Sequence, residues 1–185
     1  MGSEPVYIDR DGVINKNRTD YVKSLKEWVP LPRAIEAITM LGNAGHPVIV
    51  ITNQSAIGRN ICSVSNVEEI HRKLIRLVRG SGGEISGIYY CPHHPDENCD
   101  CRKPRTGMVD SAKRELKLPD GGYIIGDADS DMELGRRAGL KTILVLTGRG
   151  KSQMEKIRTE HLPEPWRIED NIFSAVETIL EDSKV

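Results

Sequence analysis

The sequence has no apolar run that approaches the roughly 20 residues a membrane-spanning helix needs. Its N-terminus also lacks the basic and hydrophobic regions of a signal peptide, so we expect a cytoplasmic protein with no membrane partner. A formal net charge of −1 leaves no overall basic excess to hold a polyanion. Aromatic residues are scarce, at 4%, which leaves few side chains to stack on bases. These two shortages together disfavour binding to nucleic acid.

Internal repeats, low-complexity tracts and long linkers are absent from the sequence as well. At 185 residues the chain is long enough to bury a full core, and its 38% hydrophobic and 29% charged residues are ordinary values for a globular protein. We therefore expect one domain over residues 1–185, and we take a monomer as the default.

Short apolar runs alternate with amphipathic segments along the chain. The runs predict buried strands at residues 6–8, 46–52, 88–90, 123–127 and 142–146, and the segments predict helices near residues 34–41, 65–78, 108–116, 132–138 and 171–180. Ser65 followed by Glu68 indicates a capping box at the start of the second helix, whereas residues 151–165 are polar and carry no predicted element. This alternation predicts a three-layer α/β/α fold, in which a Rossmann-like parallel sheet is covered by helices on both faces.

Polar side chains follow three of the predicted strands. Asp9 and Asp11 come after the first strand, where Gly12 allows a sharp turn; Thr52 ends the second strand and Asp127 the fourth. Because the carboxyl ends of parallel strands meet at one edge of the sheet, we expect these groups to share a cleft. Paired carboxylates repel each other unless a cation lies between them, which suggests Mg²⁺. The alternative is an acidic turn without a function, which explains one strand end but not polar side chains at the ends of three strands.

Three of the four cysteines crowd together near two histidines. Cys91, Cys99 and Cys101, with His93 or His94, provide three thiolates and one imidazole within eleven residues. That set satisfies a closed tetrahedral zinc site, and a site with no open position is structural rather than catalytic. The alternative is a redox-active or merely reduced cluster. The fourth cysteine stands apart and fits no pattern.

The ordered motifs resemble those of haloacid dehalogenase-type phosphatases. They are Asp9-Arg10-Asp11-Gly12, Thr52-Asn53-Gln54-Ser55, Lys103, and Gly126-Asp127 with Asp131. The resemblance spans residues 6–148. Together with the Cys-Pro-His-His-Pro and Cys-Asp-Cys-Arg-Lys-Pro segments, the motifs are similar to those of the D-glycero-D-manno-heptose bisphosphate phosphatases and the related histidinol-phosphate phosphatases. This implies a haloacid dehalogenase-like fold with a minimal cap and a zinc loop at about residues 91–103.

The resemblance also implies a catalytic role for several residues. Asp9 would attack phosphorus and form an aspartyl-phosphate. Asp11 would protonate the leaving alcohol and then deprotonate the attacking water, so a raised pKa is expected for its carboxyl group. Thr52 would donate a hydrogen bond to a phosphoryl oxygen, and Lys103 would neutralise the phosphorylated aspartate.

Two metal ions are implied by the same resemblance. Mg²⁺ would be held by the carboxylates of Asp9 and Asp127 and by the main-chain carbonyl of Asp11. Asp131 would support Lys103 or a metal-bound water. The implied structural zinc ligands, with His93 rather than His94, are Cys91, His93, Cys99 and Cys101.

Substrate choice should lie in the loops above the sheet edge. The candidate substrate-binding residues are Asn15, Thr52, Asn53, Gln54, Ser55, Arg59, Arg102 and Lys103. For Arg59, a solvated surface arginine is the alternative. Ala128 stands where the heptose enzymes usually carry a lysine that, with the arginine after the zinc loop, anchors the second phosphate. Either Arg102 and another basic residue suffice, or the substrate carries a single phosphate.

Two classes of function follow. The first is a Mg²⁺-dependent phosphatase for a small phosphorylated sugar, D-glycero-D-manno-heptose 1,7-bisphosphate at its 7-phosphate, with histidinol phosphate or another polyol phosphate as the alternative. The second is a zinc-stabilised module that binds a phosphorylated ligand, or a phosphatase for nucleic-acid 3′ ends. Asp9, Asp11, Thr52, Lys103 and Asp127 together favour the enzyme, because a binding module needs no nucleophile beside a general acid.

Overall fold

The computed structural model describes residues 3–184, which build a six-stranded parallel sheet. Its strands are β1 (Val6–Ile8), β2 (Val48–Asn53), β3 (Gly87–Cys91), β4 (Tyr123–Gly126), β5 (Lys141–Val145) and β6 (Arg167–Glu169). Their order across the sheet is β3-β2-β1-β4-β5-β6, so the chain winds to one side of β1 first and to the other side afterwards. The carboxyl ends of β1 and β4 therefore flank the switch point where sheets of this kind bind ligands.

Helices cover both faces of the sheet. They are α1 (Ala34–Asn43), α2 (Ser55–Gly58), α3 (Val64–Gly80), α4 (Gly107–Leu116), α5 (Asp129–Ala138), α6 (Gly150–Thr159) and α7 (Ile172–Asp182). Side chains alternate along β1: Val6 and Ile8 pack in the core formed with α1, α3 and α7, whereas Tyr7 packs in the core formed with α4 and α5. The predicted three-layer architecture is confirmed. Within residues 3–184, none of these helices has the length and apolar character required to cross a membrane.

The sequence-based prediction missed two elements near the C-terminus. Most of α6 lies in the polar stretch 151–165, and β6 follows it. α6 buries only Gly150 and Ile157, and β6 is an edge strand whose single apolar residue, Ile168, is 41% exposed. Neither segment carries enough apolar residues to show a period.

The predicted capping box of α3 is wrong. The helix begins earlier, and Ser63 is its N-cap, with Oγ accepting from the backbone N–H of Asn66 at 3.2 Å. Ser65 lies in the first turn, where its hydroxyl is 2.8 Å from that of Ser63. The hydrophobic pattern does not fix the first residue of a helix to within two positions, and a serine at either position can act as an N-cap.

Gly135 allows α5 to lie directly against the sheet. A Cβ atom at this position would be 2.4 Å from Cγ2 of Thr142 and 2.5 Å from Cγ2 of Ile124. The close approach fixes the height of the helix above β4 and β5. It thereby fixes the first turn of α5, which carries Asp131, at the carboxyl edge of the sheet.

Gly135→Ala should lower the free energy of unfolding by about 1–3 kcal/mol, because the added methyl group overpacks the contact with the sheet. Gly80→Ala is the matched control: apart from its chain neighbours and the backbone of its own helix, no atom lies within 4 Å of the new methyl group at the end of α3. There the substitution should stabilise the protein by about 0.4–1 kcal/mol. Urea unfolding of both variants tests this, and equal effects at the two positions would contradict it.

Candidate active site

A cleft of about 520 Å³ opens at the carboxyl edge of the sheet. Nine of the ten predicted catalytic and substrate-binding residues line it: Asp9, Asp11, Thr52, Asn53, Gln54, Ser55, Arg59, Arg102 and Lys103. The tenth, Asn15, is fully buried outside the cleft. A larger cavity of about 690 Å³ beside α5 and α6 contains none of these ten residues.

Lys103 is buried between two carboxylates. Its Nζ lies 2.8 Å from Oδ1 of Asp9 and 2.6 Å from Oδ1 of Asp131. Burial opposes the charge on the lysine, but the two carboxylates outweigh this effect and raise its pKa. Burial likewise raises the pKa of Asp9 to about 6, although Lys103 lowers it. A charged ammonium group is thus fixed beside the Asp9 carboxylate.

The backbone of Lys103 is held by Asn53 at the end of β2. Oδ1 of Asn53 accepts from the N–H of Lys103 at 3.1 Å, and its Nδ2 donates to the carbonyl of Lys103 at 3.3 Å. One amide therefore satisfies both backbone groups of the lysine. The side chain of Asn53, predicted to bind substrate, is used to position Lys103.

Asp9, Asp127 and Asp131 form a cluster in which one carboxylate oxygen of each lies within 4.8 Å of the others. Asp127 is fully buried; its Oδ2 accepts from the backbone N–H of Arg149 at 2.8 Å, and its Oδ1 lies 3.4 Å from Nη2. Burial and the charge of Asp9 raise the pKa of Asp127. Among residues 3–184, only Lys103 and Arg149 pair with the three carboxylates, so the cluster carries an excess of negative charge. Its hard oxygen ligands could hold a divalent cation.

Gly12 makes room for the carboxylate of Asp127. A Cβ atom on Gly12 would lie 2.1 Å from Oδ2 of Asp127, and the backbone of Gly12 has a φ of +95°, which glycine adopts without strain. Gly148 approaches the same oxygen from the other side, with a calculated Cβ distance of 2.2 Å. Gly12 therefore allows the turn that follows Asp11, and it also leaves space for the side chain of Asp127 after β4.

Asp11 is held by three neighbours. Its Oδ2 accepts from Nη2 of Arg10 at 2.8 Å and from Nε2 of Gln54 at 2.7 Å, and its Oδ1 accepts from Nδ2 of Asn15 at 2.8 Å. Burial alone would raise the pKa of Asp11, but the charge of Arg10 and the hydrogen bonds from all three residues outweigh it, and the pKa is lowered. The expectation of a raised pKa is wrong for this structure, because it ignored Arg10.

Both hydrogens of the Gln54 amide are already donated within the protein. Its Nε2 donates to Oγ1 of Thr52 at 2.9 Å as well as to Asp11, and its Oε1 accepts from Nη2 of Arg10 at 3.0 Å. Gln54 and Asn15 both orient the candidate acid; Gln54 also lines the cleft, where its contact with substrate stays a prediction, whereas Asn15 is buried away from the cleft. Thr52 is 1% exposed and lines the cleft.

The arginines at the cleft differ in exposure. Arg59 is exposed, and Arg102 is half-buried with its Nη1 atom buried and without a hydrogen-bond partner among residues 3–184. Arg149, whose side chain is 54% exposed, also lines the cleft and was not predicted from the sequence. It follows β5 in a Thr-Gly-Arg-Gly segment without a neighbouring acidic motif, so no local pattern marked it.

His71 is a second residue that the sequence did not reveal. It is 6% exposed on α3, and its Nε2 atom lies 3.1 Å from Nη1 of Arg10. Burial, followed by the charge of Arg10, lowers the pKa of His71 to about 3, although Asp11 opposes this shift. The imidazole is therefore neutral at neutral pH.

The four predicted zinc ligands lie together, with Cys91 at the end of β3 and the other three in the loop that follows it. Sγ of Cys91 is 3.6 Å from both Nδ1 of His93 and Sγ of Cys99. Sγ of Cys101 is 3.2 Å from Nδ1 of His93 and 3.7 Å from Sγ of Cys99. All four atoms lie within 4.8 Å of one another, so they could surround one metal ion. The loop also contacts the rim of the sheet, because the N–H of Gly58 donates to the carbonyl of Pro92 at 2.8 Å.

The chain is similar to hydrolases of one kind. Residues 100–168 match the HAD-hydrolase-like family model. A D-glycero-beta-D-manno-heptose-1,7-bisphosphate 7-phosphatase from Neisseria meningitidis is 41% identical over 179 residues, which cover 96% of this chain and 95% of that protein. The protein of the same name from Pseudomonas putida is 43% identical over 150 residues, covering 80% and 86%. A crystal structure of D,D-heptose 1,7-bisphosphate phosphatase from B. bronchiseptica, complexed with magnesium and phosphate, matches with a TM-score of 0.90 at 33% identity, covering 97% and 99%.

The protein should lose stability as the pH falls below the ordinary pKa of histidine, about 6.5. Between that value and about 3, His71 binds a proton in the unfolded chain but not in the folded one, so acid favours unfolding. Its contribution should reach about 2 kcal/mol by pH 5. Urea unfolding of the wild type and His71→Gln measures it, since other titrating groups are common to both. A stability difference that stays constant from pH 7 to pH 5 would contradict the assignment.

Proposed function

The chain belongs to the haloacid dehalogenase-like phosphatases, and we propose that it hydrolyses the phosphate monoester of a small sugar. Because its relatives are named heptose 1,7-bisphosphate 7-phosphatases and it covers nearly their whole length, the substrate we propose is D-glycero-D-manno-heptose 1,7-bisphosphate, losing its 7-phosphate. The observation that carries the proposal is the arrangement of Asp9, Asp11 and Lys103 in one cleft, with the ammonium 2.8 Å from the Asp9 carboxylate.

The proposed reaction has two steps. An oxygen of Asp9 attacks phosphorus, the bond between phosphorus and the sugar oxygen breaks, and Asp11 gives its proton to that oxygen. Water then attacks the aspartyl-phosphate, Asp11 takes a proton from the water, and the bond to Asp9 breaks to release phosphate. Lys103 and the hydroxyl of Thr52 would stabilise the negative charge on the phosphoryl oxygens in both steps.

The lowered pKa of Asp11 is compatible with this role once substrate is present. A phosphate dianion bound beside Asp11 would disfavour its ionised form and raise its pKa. The hydrogen bonds from Arg10, Asn15 and Gln54 fix the orientation of the carboxyl group. The protein would therefore fix the orientation of the Asp11 carboxyl group, and the bound phosphate would raise its pKa enough for it to be protonated.

The acidic cluster fits a magnesium ion. Its buried carboxylates carry more negative charge than Lys103 and Arg149 offset, and Mg²⁺ prefers oxygen ligands. The ligands that we propose are the carboxylates of Asp9 and Asp127 and the main-chain carbonyl of Asp11. When bound, Mg²⁺ supplies positive charge that keeps the carboxylates ionised beside an anionic substrate.

The cysteine cluster fits a zinc ion. Tetrahedral geometry with the usual zinc bond lengths puts two sulfur ligands about 3.8 Å apart, and a sulfur and a nitrogen ligand about 3.6 Å apart. The separations in the structure, 3.6 and 3.7 Å between sulfurs and 3.2 and 3.6 Å between sulfur and nitrogen, lie close to these values. Because all four positions are filled by protein atoms, the zinc we propose is structural.

A second phosphate could be bound without a lysine at position 128. Ala128 is buried and lies at the N-cap of α5, so it offers no charge to the cleft. Arg59, Arg102 and Arg149 line the cleft, and Arg102 has a buried donor without a partner among the described residues. These cations support a bisphosphate as the substrate.

Four of the expectations from the sequence stay predictions: a cytoplasmic location, a monomeric state, the absence of a nucleic-acid partner and a single domain.

Phosphate release in the presence of Mg²⁺ tests the substrate. We expect kcat/KM for heptose 1,7-bisphosphate to exceed those for fructose 1,6-bisphosphate and histidinol phosphate by about a hundredfold or more, a difference of about 2.7 kcal/mol in transition-state binding. Asp9→Asn should lower hydrolysis of every ester by about a thousandfold or more. Comparable rates for the three esters would reject the heptose assignment, whereas an active Asp9→Asn variant would reject the nucleophile.

Cys99→Ser should lose the proposed zinc, and Cys62→Ser is its matched control. Cys62 is half-buried and lies outside the cluster. We expect about one zinc ion per chain in the wild type and in Cys62→Ser, and little in Cys99→Ser, with a loss of at least about 2 kcal/mol of unfolding free energy. Metal analysis and urea unfolding provide the two measurements. A wild-type protein that purifies without zinc and does not gain stability when zinc is added would reject the site.

A further inference from the structure

Arg10 is completely buried, which is rare for a charged side chain. Its guanidinium group meets the Asp11 carboxylate in two places, with Nη2 2.8 Å from Oδ2 and Nε 3.3 Å from Oδ1. The same Nη2 atom donates to Oε1 of Gln54 at 3.0 Å. The remaining nitrogen, Nη1, faces away from these groups and lies 3.1 Å from Nε2 of His71.

His71 is a hydrogen-bond acceptor for that nitrogen. Because the nitrogens of arginine only donate, Nε2 of His71 accepts, and the neutral ring carries its proton on Nδ1. The low pKa of His71, about 3, agrees with this state. The ring packs beside Tyr90, with 5.3 Å between the ring centroids. In the described part of the chain, α3 contributes no residue to the lining of the cleft, so His71 has no direct path to a substrate.

We propose that His71 is a positioning residue, which aligns Asp11 for proton transfer by fixing the guanidinium of Arg10. A guanidinium is planar, so anchoring Nη1 sets the direction in which Nε and Nη2 meet the Asp11 carboxylate. Asn15 holds the other side of that carboxylate, at 2.8 Å from Oδ1. The inference rests on the proposed function, since it requires Asp11 to be the proton donor.

A purely structural role for His71 makes a different prediction. Any side chain that fills the space between Arg10 and Tyr90 would then serve, whether or not it accepts a hydrogen bond. His71→Leu fills much of the space and leaves Nη1 of Arg10 without an acceptor. His71→Gln provides an acceptor oxygen instead. The two variants therefore separate hydrogen bonding from volume.

The test compares two esters that differ in their need for a proton. The alcohol of heptose 1,7-bisphosphate leaves with a proton from Asp11, whereas p-nitrophenolate departs without one. The ratio kcat/KM reports the steps up to formation of the aspartyl-phosphate, so the later attack by water does not affect it. We expect His71→Leu to lower kcat/KM for the heptose ester by about tenfold or more and for p-nitrophenyl phosphate by less than about twofold. His71→Gln should recover most of the loss.

Asp11→Asn is the reference, and it should show the same selectivity with a larger loss. If Asp11→Asn slows both esters equally, the proposed role of Asp11 fails, and the inference about His71 fails with it. If Asp11→Asn is selective but His71→Leu is not, only the inference about His71 is overturned. Both esters are measured on one preparation, so their ratio does not depend on the folded fraction.

His46→Gln is the control for the loss of a buried histidine. His46 is 5% exposed and lies just before β2, at the opposite edge of the sheet from the cleft, where its Nδ1 is 2.8 Å from the carbonyl of Glu4. This variant should leave the ratio between the two esters unchanged. A ratio that shifts in His46→Gln as much as in His71→Leu would overturn the proposal, because the selectivity would then not depend on the contact between His71 and Arg10.

Discussion

The repulsion among buried carboxylates at the carboxyl edge of the sheet is the constraint on which this site depends. Asp9, Asp127 and Asp131 come from two strand ends and the first turn of α5, and their charges are only partly offset by Lys103 and Arg149. Burying like charges is costly unless cations lie among them. The close approach of α5 to the sheet places Asp131 in this cluster, and the hydrogen bonds between Asn53 and the backbone of Lys103 place the lysine there. The contacts that pack α5 on the sheet and hold the Lys103 backbone therefore also determine the arrangement of charges in the site.

The parts of the molecule that the sequence predicts are those with a local signature. Apolar runs marked five of the six strands, and the resemblance to haloacid dehalogenase-type phosphatases is confirmed. The sixth strand has a single apolar residue and is placed in the sheet by its pairing with β5, from Ile143 to Val145, which no local pattern records. Propensity and periodicity describe a segment by itself, whereas an edge strand depends on a neighbour distant in the sequence.

The same limit applies to the site. Asp9, Asp11, Thr52 and Asp127 lie at or just after the carboxyl ends of strands and could be predicted to meet. His71 could not, because its place beside Arg10 depends on how α3 packs, across 61 residues of sequence. The lowered pKa of Asp11 was missed for a different reason: its largest cause, the charge of the adjacent Arg10, acts only because that side chain turns back onto the carboxylate, and the motif does not reveal this turn.

Because Arg10 is buried, salt affects the charges of this site unequally. At physiological salt, charges in water are screened beyond about 8 Å, but a guanidinium without solvent contact is scarcely screened. Arg59 and Arg149 at the mouth of the cleft are open to salt, whereas the contact between Arg10 and Asp11 is shielded from it. Salt therefore weakens the capture of an anionic ligand and leaves the alignment of the proton donor unchanged.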